Sequence, residues 1–424
     1  MRVRRRRRTT LVVAVAVIGL VAWLVASGGA ASRTANPTAS PTANRTAANS
    51  SASPTANRTA ANSSASPTAS TATGHGQASP AASRTGGNPS VVSSIAPWHL
   101  PSALSRAGAA ALPGGRVLLL GGLFASGGSS ADVGVLDLET GALTSVATLA
   151  SPTHDAGSAV LGGRAFLFGG GQAYPVATVE AVTLPGGSSA GGSSASGTSA
   201  SGTSGGASAS GGAGIVTGQL PQPRADDEAV TVAGTAYVVG GYDGSTGDTA
   251  VLATQNGSSF STVATLPVDV RYGAVAAAGG KIYVFGGETV PGGTTLEYST
   301  PTPTTSPPPG QQVALVQQID PQTHTARVAG YLPRGVQGAA AFVLGGKLFL
   351  AGGDSNAPGT PPSSGSTIWS FDPSTGAFRL VGHLAAPVAY AAVVVEGGTA
   401  WLVGGERDGV PIATVQKVVL RRSS

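Results

Sequence analysis

Gly279-Gly280-Lys281-Ile282-Tyr283-Val284-Phe285-Gly286-Gly287 is the stretch on which the fold turns. A glycine turn opens it, a short apolar run follows, and a second glycine pair closes it. The run before it, Gly273–Ala278, is built of small residues, so the two runs read as paired strands joined by a tight turn. The apolar run ending in a glycine pair recurs at Val117–Gly122, Ala165–Gly170, Ala236–Gly241, Leu348–Gly353 and Ala400–Gly405. Spacings between successive pairs are 48, 71, 46, 66 and 52 residues. The two long intervals hold a Gly/Ser/Ala tract at 185–214 and a Pro/Thr tract at 290–312, both read as disordered inserts. Without them the period is about 45 to 50 residues, the length of a repeated supersecondary unit.

Outward from the glycine pair each unit continues in the same way. A third strand runs into an Asp-initiated turn at Asp137-Leu-Glu-Thr-Gly141, Asp320-Pro-Gln-Thr-His324 and Asp372-Pro-Ser-Thr-Gly376. A fourth strand ends near a leucine, as at Val146–Leu149, Leu266 and Leu384. Four strands per unit, repeated radially, make a propeller. These marks resemble those of kelch repeats, whose double glycine follows the second strand and whose turn is of the Asp-Pro-x-Thr-Gly type. The resemblance covers about 95–424. The family's tryptophan after the turn is replaced by Leu143, Phe260, Ala326 and Phe378. The expected fold is therefore all-β, a six-bladed kelch-type β-propeller over 91–424. Val91–Leu100 has the character of a fourth strand, and the last unit stops at a third, Thr414–Leu420. The N-terminal strand should complete the last unit and hide its edge.

The folded part follows a very different leader. Residues 1–95 carry 10 Arg and no acid; the remainder carries 14 positive and 19 negative charges. The overall +5 is thus a property of the tail, and a nucleic-acid partner is not expected. Arg2 and Arg4–Arg8 precede the uncharged apolar run Leu11–Ala26, the pattern of a membrane anchor or export signal within 1–31. With its small-residue flanks the run is long enough to cross a bilayer, leaving the arginines cytoplasmic. The expected location is the cell membrane, single-pass, with the propeller outside the cytoplasm; the alternative is secretion after cleavage. Residues 32–90 contain one block twice, at 40–52 and 53–65, with no apolar periodicity, and read as a disordered stalk. The Arg-over-Lys, Ala- and Gly-rich usage is of a bacterial type.

The chain has no cysteine, which excludes disulfides, thiolate metal sites and cysteine nucleophiles. It also excludes the crosslinked copper cofactor of galactose-oxidase-like enzymes, which share the kelch architecture. There is no phosphate-binding Gly-x-x-x-x-Gly-Lys-Ser/Thr and no Gly-x-Ser-x-Gly. No cofactor and no metal site are expected. Aligned on the glycine pairs, loop positions two residues after the first glycine hold Tyr242, Glu288, Asp354 and Glu406; those fifteen before it hold Arg106, His154 and Arg271. With Asp243 and Arg407 beside them, these form the candidate ligand-binding set at one propeller end; no catalytic residue is assigned. The acids Glu288, Asp354, Glu406 and Asp408, if their loops converge, suit sugar hydroxyls or a hard cation. The expected function is binding of a protein, glycan or cell-wall partner. Small kelch propellers also include sialic-acid mutarotases, so the resemblance implies a carbohydrate-active epimerase or mutarotase as the alternative. A spacer module is the third reading.

Overall fold

The computed structural model describes residues 90–184, 212–290, 310–355 and 360–421. Every regular element among them is a β-strand, in a propeller-like arrangement. Leu11–Ala26, and the stalk up to residue 89, lie outside the described residues, as does most of each expected insert. Among the described residues there is no helix long and apolar enough to cross a membrane.

Three four-stranded antiparallel sheets, one of five strands and one of seven carry the fold, with two small two-stranded sheets in the loops. The first four-stranded sheet runs Val91–His99, Thr414–Leu420, Thr399–Val403, Ala392–Glu396. The N-terminal strand therefore pairs with the C-terminal one, in register from Val91 with Leu420 to Ile95 with Gln416. Trp98, at the end of that strand, stacks on Trp401 and lies against Gly141. The seven-stranded sheet exists because one strand, Ile215–Val232, pairs with Val176–Thr183 through its first half and with Thr235–Tyr242 through its second.

The strand sequences account for their places. The strand ending in the glycine pair is buried at its last four residues in Arg116–Leu120, Arg164–Phe168, Lys281–Phe285 and Lys347–Ala351. Both faces of such a strand are covered by neighbouring sheets, so its residues are apolar without alternation, as for any strand packed on both sides. The strand before it alternates, and its less buried face lines a central channel. Small and medium apolar residues stand there: Ala109, Ala277 and Ala341, with Val275 and Val343 beside them. Five apolar clusters lie between successive sheets and a sixth between the two halves of the seven-stranded sheet; the one joining Leu119 and Leu136 to Val394 and Val403 brings the first and last parts of the described residues together.

The glycine pairs have a specific cause. In each, the second glycine N–H donates to a backbone carbonyl of the following unit: Gly122 to Thr153, Gly170 to Arg224, Gly241 to Val270, Gly287 to Val336, Gly353 to Val388 and Gly405 to Leu104, at 2.8–2.9 Å. A Cβ on the first glycine would strike that same carbonyl oxygen, at 2.5 Å for Gly240 against Val270. All twelve glycines have positive φ.

The Asp-initiated turns form as expected. The Asp137 carboxylate accepts the N–H groups of Glu139 and Thr140, and Gly141 closes the turn at φ 77°. Two insert boundaries differ from the expectation. Gly212–Ala213, expected inside the 185–214 insert, pair in parallel with Ala147–Thr148, and Gly214 donates to Thr148. Val290 is buried and Gln312 bridges to Glu288, so the ordered sheet reaches into the expected 290–312 insert from both sides.

Gly240→Ala should lower unfolding stability by about 2–5 kcal/mol, because it adds left-handed strain to overpacking against the Val270 carbonyl. Gly279→Ala, at φ 58° with nothing within 4 Å of the new Cβ, should cost only about 1–2 kcal/mol. Urea denaturation of both variants checks the difference; equal losses would remove the carbonyl contact as the cause.

Candidate functional site

Each innermost strand is entered through one residue in the left-handed region: Arg106, Asp155, Asp226, Tyr272, Gly338 and Tyr390, with φ between 51° and 59°. Their backbones close a ring of hydrogen bonds. Arg106 N–H donates to Tyr390, Tyr390 to Gly338, Gly338 to Tyr272, Tyr272 to Asp226, Asp226 to Asp155 and Asp155 back to Arg106, at 2.7–3.2 Å. Non-glycine residues are uncommon at such φ values. Here the ring fixes them, and it aims five side chains at one end of the channel. The sixth position must be glycine, since a Cβ at Gly338 would lie 2.6 Å from the Tyr390 ring.

Arg106 is the centre of the group. Its Nε donates to Glu406 Oε1 at 2.6 Å, and its Nη1 donates to Asp155 Oδ2 and to the Tyr272 hydroxyl, each at 3.1 Å. Its guanidinium lies 4.1 Å from the Tyr390 ring centre and 5.1 Å from that of Tyr272. Burial acts against its charge, but Asp155 and Glu406 outweigh burial and hold it firmly protonated. Arg271 forms the second centre: it donates to Glu288 Oε1 at 3.1 Å, lies 3.6 Å from Asp226 Oδ2, and faces the Tyr242 and Tyr272 rings. His154 sits beside Asp155 at 3.5 Å, with Ser129 Oγ on its other nitrogen. Asp354 is buried, accepts from Ser364 Oγ at 2.8 Å, and is pushed up by burial and then by Glu406 and Asp408.

Two spaces open from this group. One, of about 170 Å³, is a mouth lined by His154, Tyr174, Tyr242 and Tyr272. The other, of about 310 Å³, runs down the channel past Arg106 between the alanine-rich walls. Asp226, Asp227 and Glu228 line this channel cavity in succession. Burial raises Asp226 to about 8, with Asp155 adding and Arg271 opposing. Burial raises Asp227 well above the usual carboxylate range. Glu228 is exposed to the lumen; desolvation by the strands around it, then Asp155, raises it to about 8.

Of the residues picked from sequence, Arg106, His154, Tyr242, Arg271, Glu288 and Glu406 fall in this group, with Asp354 at its edge. Asp243 does not join it: its carboxylate is consumed by its own turn, accepting from the N–H groups of Ser245 and Thr246, and is lowered to about 2. Arg407 is exposed on the Glu406–Arg407/Val410–Pro411 hairpin, away from the channel. The row assigned to Arg106 is also corrected. Counting back from the glycines put it with His154 and Arg271, but Ser105 takes that place and Arg106 stands with Asp155 and Tyr272. The turn between Leu112 and Arg116 holds three residues, where the equivalent turn between Leu161 and Arg164 holds two. Among the described residues no group of three or more His, Asp or Glu is placed to hold a metal ion.

No family model matches the chain, and no curated protein matches it in sequence. Among solved structures it is similar to one described as the structure of YjhT, with a TM-score of 0.56 and 17% identity, over 76% of this chain and 95% of that one. At that identity the likeness shows the fold, a β-propeller, and no more.

The raised acids predict the pH dependence of stability. A carboxyl whose pKa is higher folded than unfolded favours folding below its unfolded value, about 4.3 for Glu. That contribution is lost as pH rises through its folded value of about 8. The melting temperature should therefore fall between pH 5 and pH 9, and Glu228→Gln should flatten part of that fall. An unchanged slope in the variant would mean that Glu228 ionises freely.

Proposed function

We propose that this chain is a kelch-type propeller of six four-stranded blades that binds a hydroxyl-rich ligand of the carbohydrate class at the charged end of its channel. Six glycine-to-carbonyl links, six apolar clusters and a six-membered hub ring support the count. The seven-stranded sheet is then two blades continuous through Ile215–Val232.

The observation that carries the ligand reading is the convergence of Arg106, Asp155, Asp226, Tyr272 and Tyr390, from the entries of five separate innermost strands, on one cavity. Hydroxyl-rich ligands need alternating donors and acceptors with aromatic faces between them, and this end offers both. An anionic ligand fits poorly. Arg106 is already shared by Glu406 and Asp155, and Arg271 by Glu288 and Asp226, so a ligand carboxylate must displace one of their partners and leave it buried and unpaired. A spacer role alone gives no reason for such a cluster.

A second reading, proton transfer on the bound sugar, is favoured by Asp226, a carboxyl held at about 8 beside Arg271. General acid–base work at neutral pH is most effective with a group titrating near 7. The propeller is displayed outside the cytoplasmic membrane through Leu11–Ala26 and the 32–90 stalk, facing a glycan or cell-wall partner.

Calorimetry on the full chain against a panel of neutral sugars should give a hit that Tyr242→Ala weakens about tenfold without loss of fold, the scale of one aromatic contact. If the hit is also a substrate, NMR exchange spectroscopy should show its anomers interconverting faster with the protein, and Asp226→Asn should abolish this. Carbonate-washed membranes should retain the chain. A flat sugar panel would overturn the ligand reading, and recovery of a shortened chain only in the medium would overturn the anchor.

A further inference from the structure

The channel cavity behind Arg106 is acidic in a way the chain itself does not answer. Asp227 is 4% exposed, lines the cavity, and has no hydrogen bond to either carboxylate oxygen. Asp226 Oδ2 likewise lacks one, its nearest cation being Arg271 at 3.6 Å. Glu228 makes no hydrogen bond or ion pair with any described residue. Buried polar groups in native proteins are almost always partnered, so the unmatched Asp227 carboxylate and the free Asp226 Oδ2, with Glu228 open to the same cavity, point to an occupant that supplies donors.

The facing groups define what that occupant is. Arg106 and Asp155 stand at the ring above, Tyr272 and Tyr390 beside them, and Arg224 behind Asp227. The other innermost strands contribute Ala, Val, Gly, Phe342 and Ser158, whose hydroxyl is taken by Ala109. The carboxyls are not gathered tightly enough to chelate a metal ion. The occupant must therefore carry its positive charge on a group with several N–H donors, and it must fit in about 310 Å³.

Building on the carbohydrate reading above, we propose that the channel binds a primary ammonium group, that of an amino sugar, against Asp226, Asp227 and Glu228, with the sugar hydroxyls at the Arg106 ring. Because burial keeps Asp226 and Glu228 protonated near neutral pH, a bound ammonium should expel protons as it pairs with them.

The test is isothermal calorimetry on the full chain at pH 7, in two buffers of different ionisation enthalpy. Glucosamine, glucose, glucuronate and butylamine are the probes. Glucosamine should bind at least about tenfold tighter than glucose, the scale of one desolvated charge pair, and should release on the order of one proton. Glu228→Gln should remove both the advantage and the proton release. Asp227→Asn gives the same readout should the first variant fold poorly. Glucuronate should bind more weakly than glucose. Glucosamine binding no tighter than glucose, or keeping its advantage in both variants, overturns the proposal while leaving the hydroxyl reading intact. Glu228-dependent butylamine binding with no sugar binding supports the ammonium site and overturns the hydroxyl reading. No binding by any probe overturns both.

Discussion

One hydrogen bond, made six times, holds this fold together: the N–H of the second glycine in each pair to a backbone carbonyl of the next unit. It requires the two backbones to meet with no side chain between them. That is why the first glycine of each pair can carry no Cβ, and why both adopt positive φ. The last link, Gly405 to Leu104, joins the C-terminal unit to the N-terminal one, as does the strand pair Val91–His99 with Thr414–Leu420. All but one of the apolar clusters lie between two sheets, and the remaining one joins the two halves of the seven-stranded sheet, so no sheet buries its whole core without its neighbours. Stability is shared around the ring rather than held by any one unit.

The site follows from the same closure. Bringing the inner strands together forces their entry residues into a second, smaller ring, and that ring holds Arg106, Asp155, Asp226, Tyr272 and Tyr390 in a conformation such residues seldom adopt alone. The pairing within the group has a chemical consequence. Both arginines are spent on carboxylates of the protein itself, so the groups still without an ion pair at this end are acids: Asp227 and Glu228, on the single strand that is shared between two units.

Much of this was legible in the sequence. The six glycine pairs, the small-residue strand before each and the Asp-initiated turns read directly, because each is a backbone requirement that few residue types satisfy. The aromatic substitutes for the usual tryptophan were also visible: Phe378 packs on Phe371 and Phe260 on Phe168. The site read less well because it depends on register to a single residue. One extra position in the Pro113-Gly114-Gly115 turn moved Arg106 out of its row. Asp243 looked like a loop acid with a ligand to find, yet its own turn uses it. Asp226-Asp227-Glu228 was missed as a group, although three acids entering a small-residue inner strand beside Ala225 and Ala229 are the signal that could have found it.

Native-state hydrogen exchange on the full chain tests the closure most directly. If the ring is continuous, the amides of Gly122, Gly170, Gly241, Gly287, Gly353 and Gly405 should exchange together, through global unfolding. The hub amides of Arg106, Asp226 and Tyr390 should exchange with them. Fast exchange at Gly405 and Arg106, with the other amides still protected, would mean that the seam between the chain ends opens on its own, and it would contradict a site built by closure.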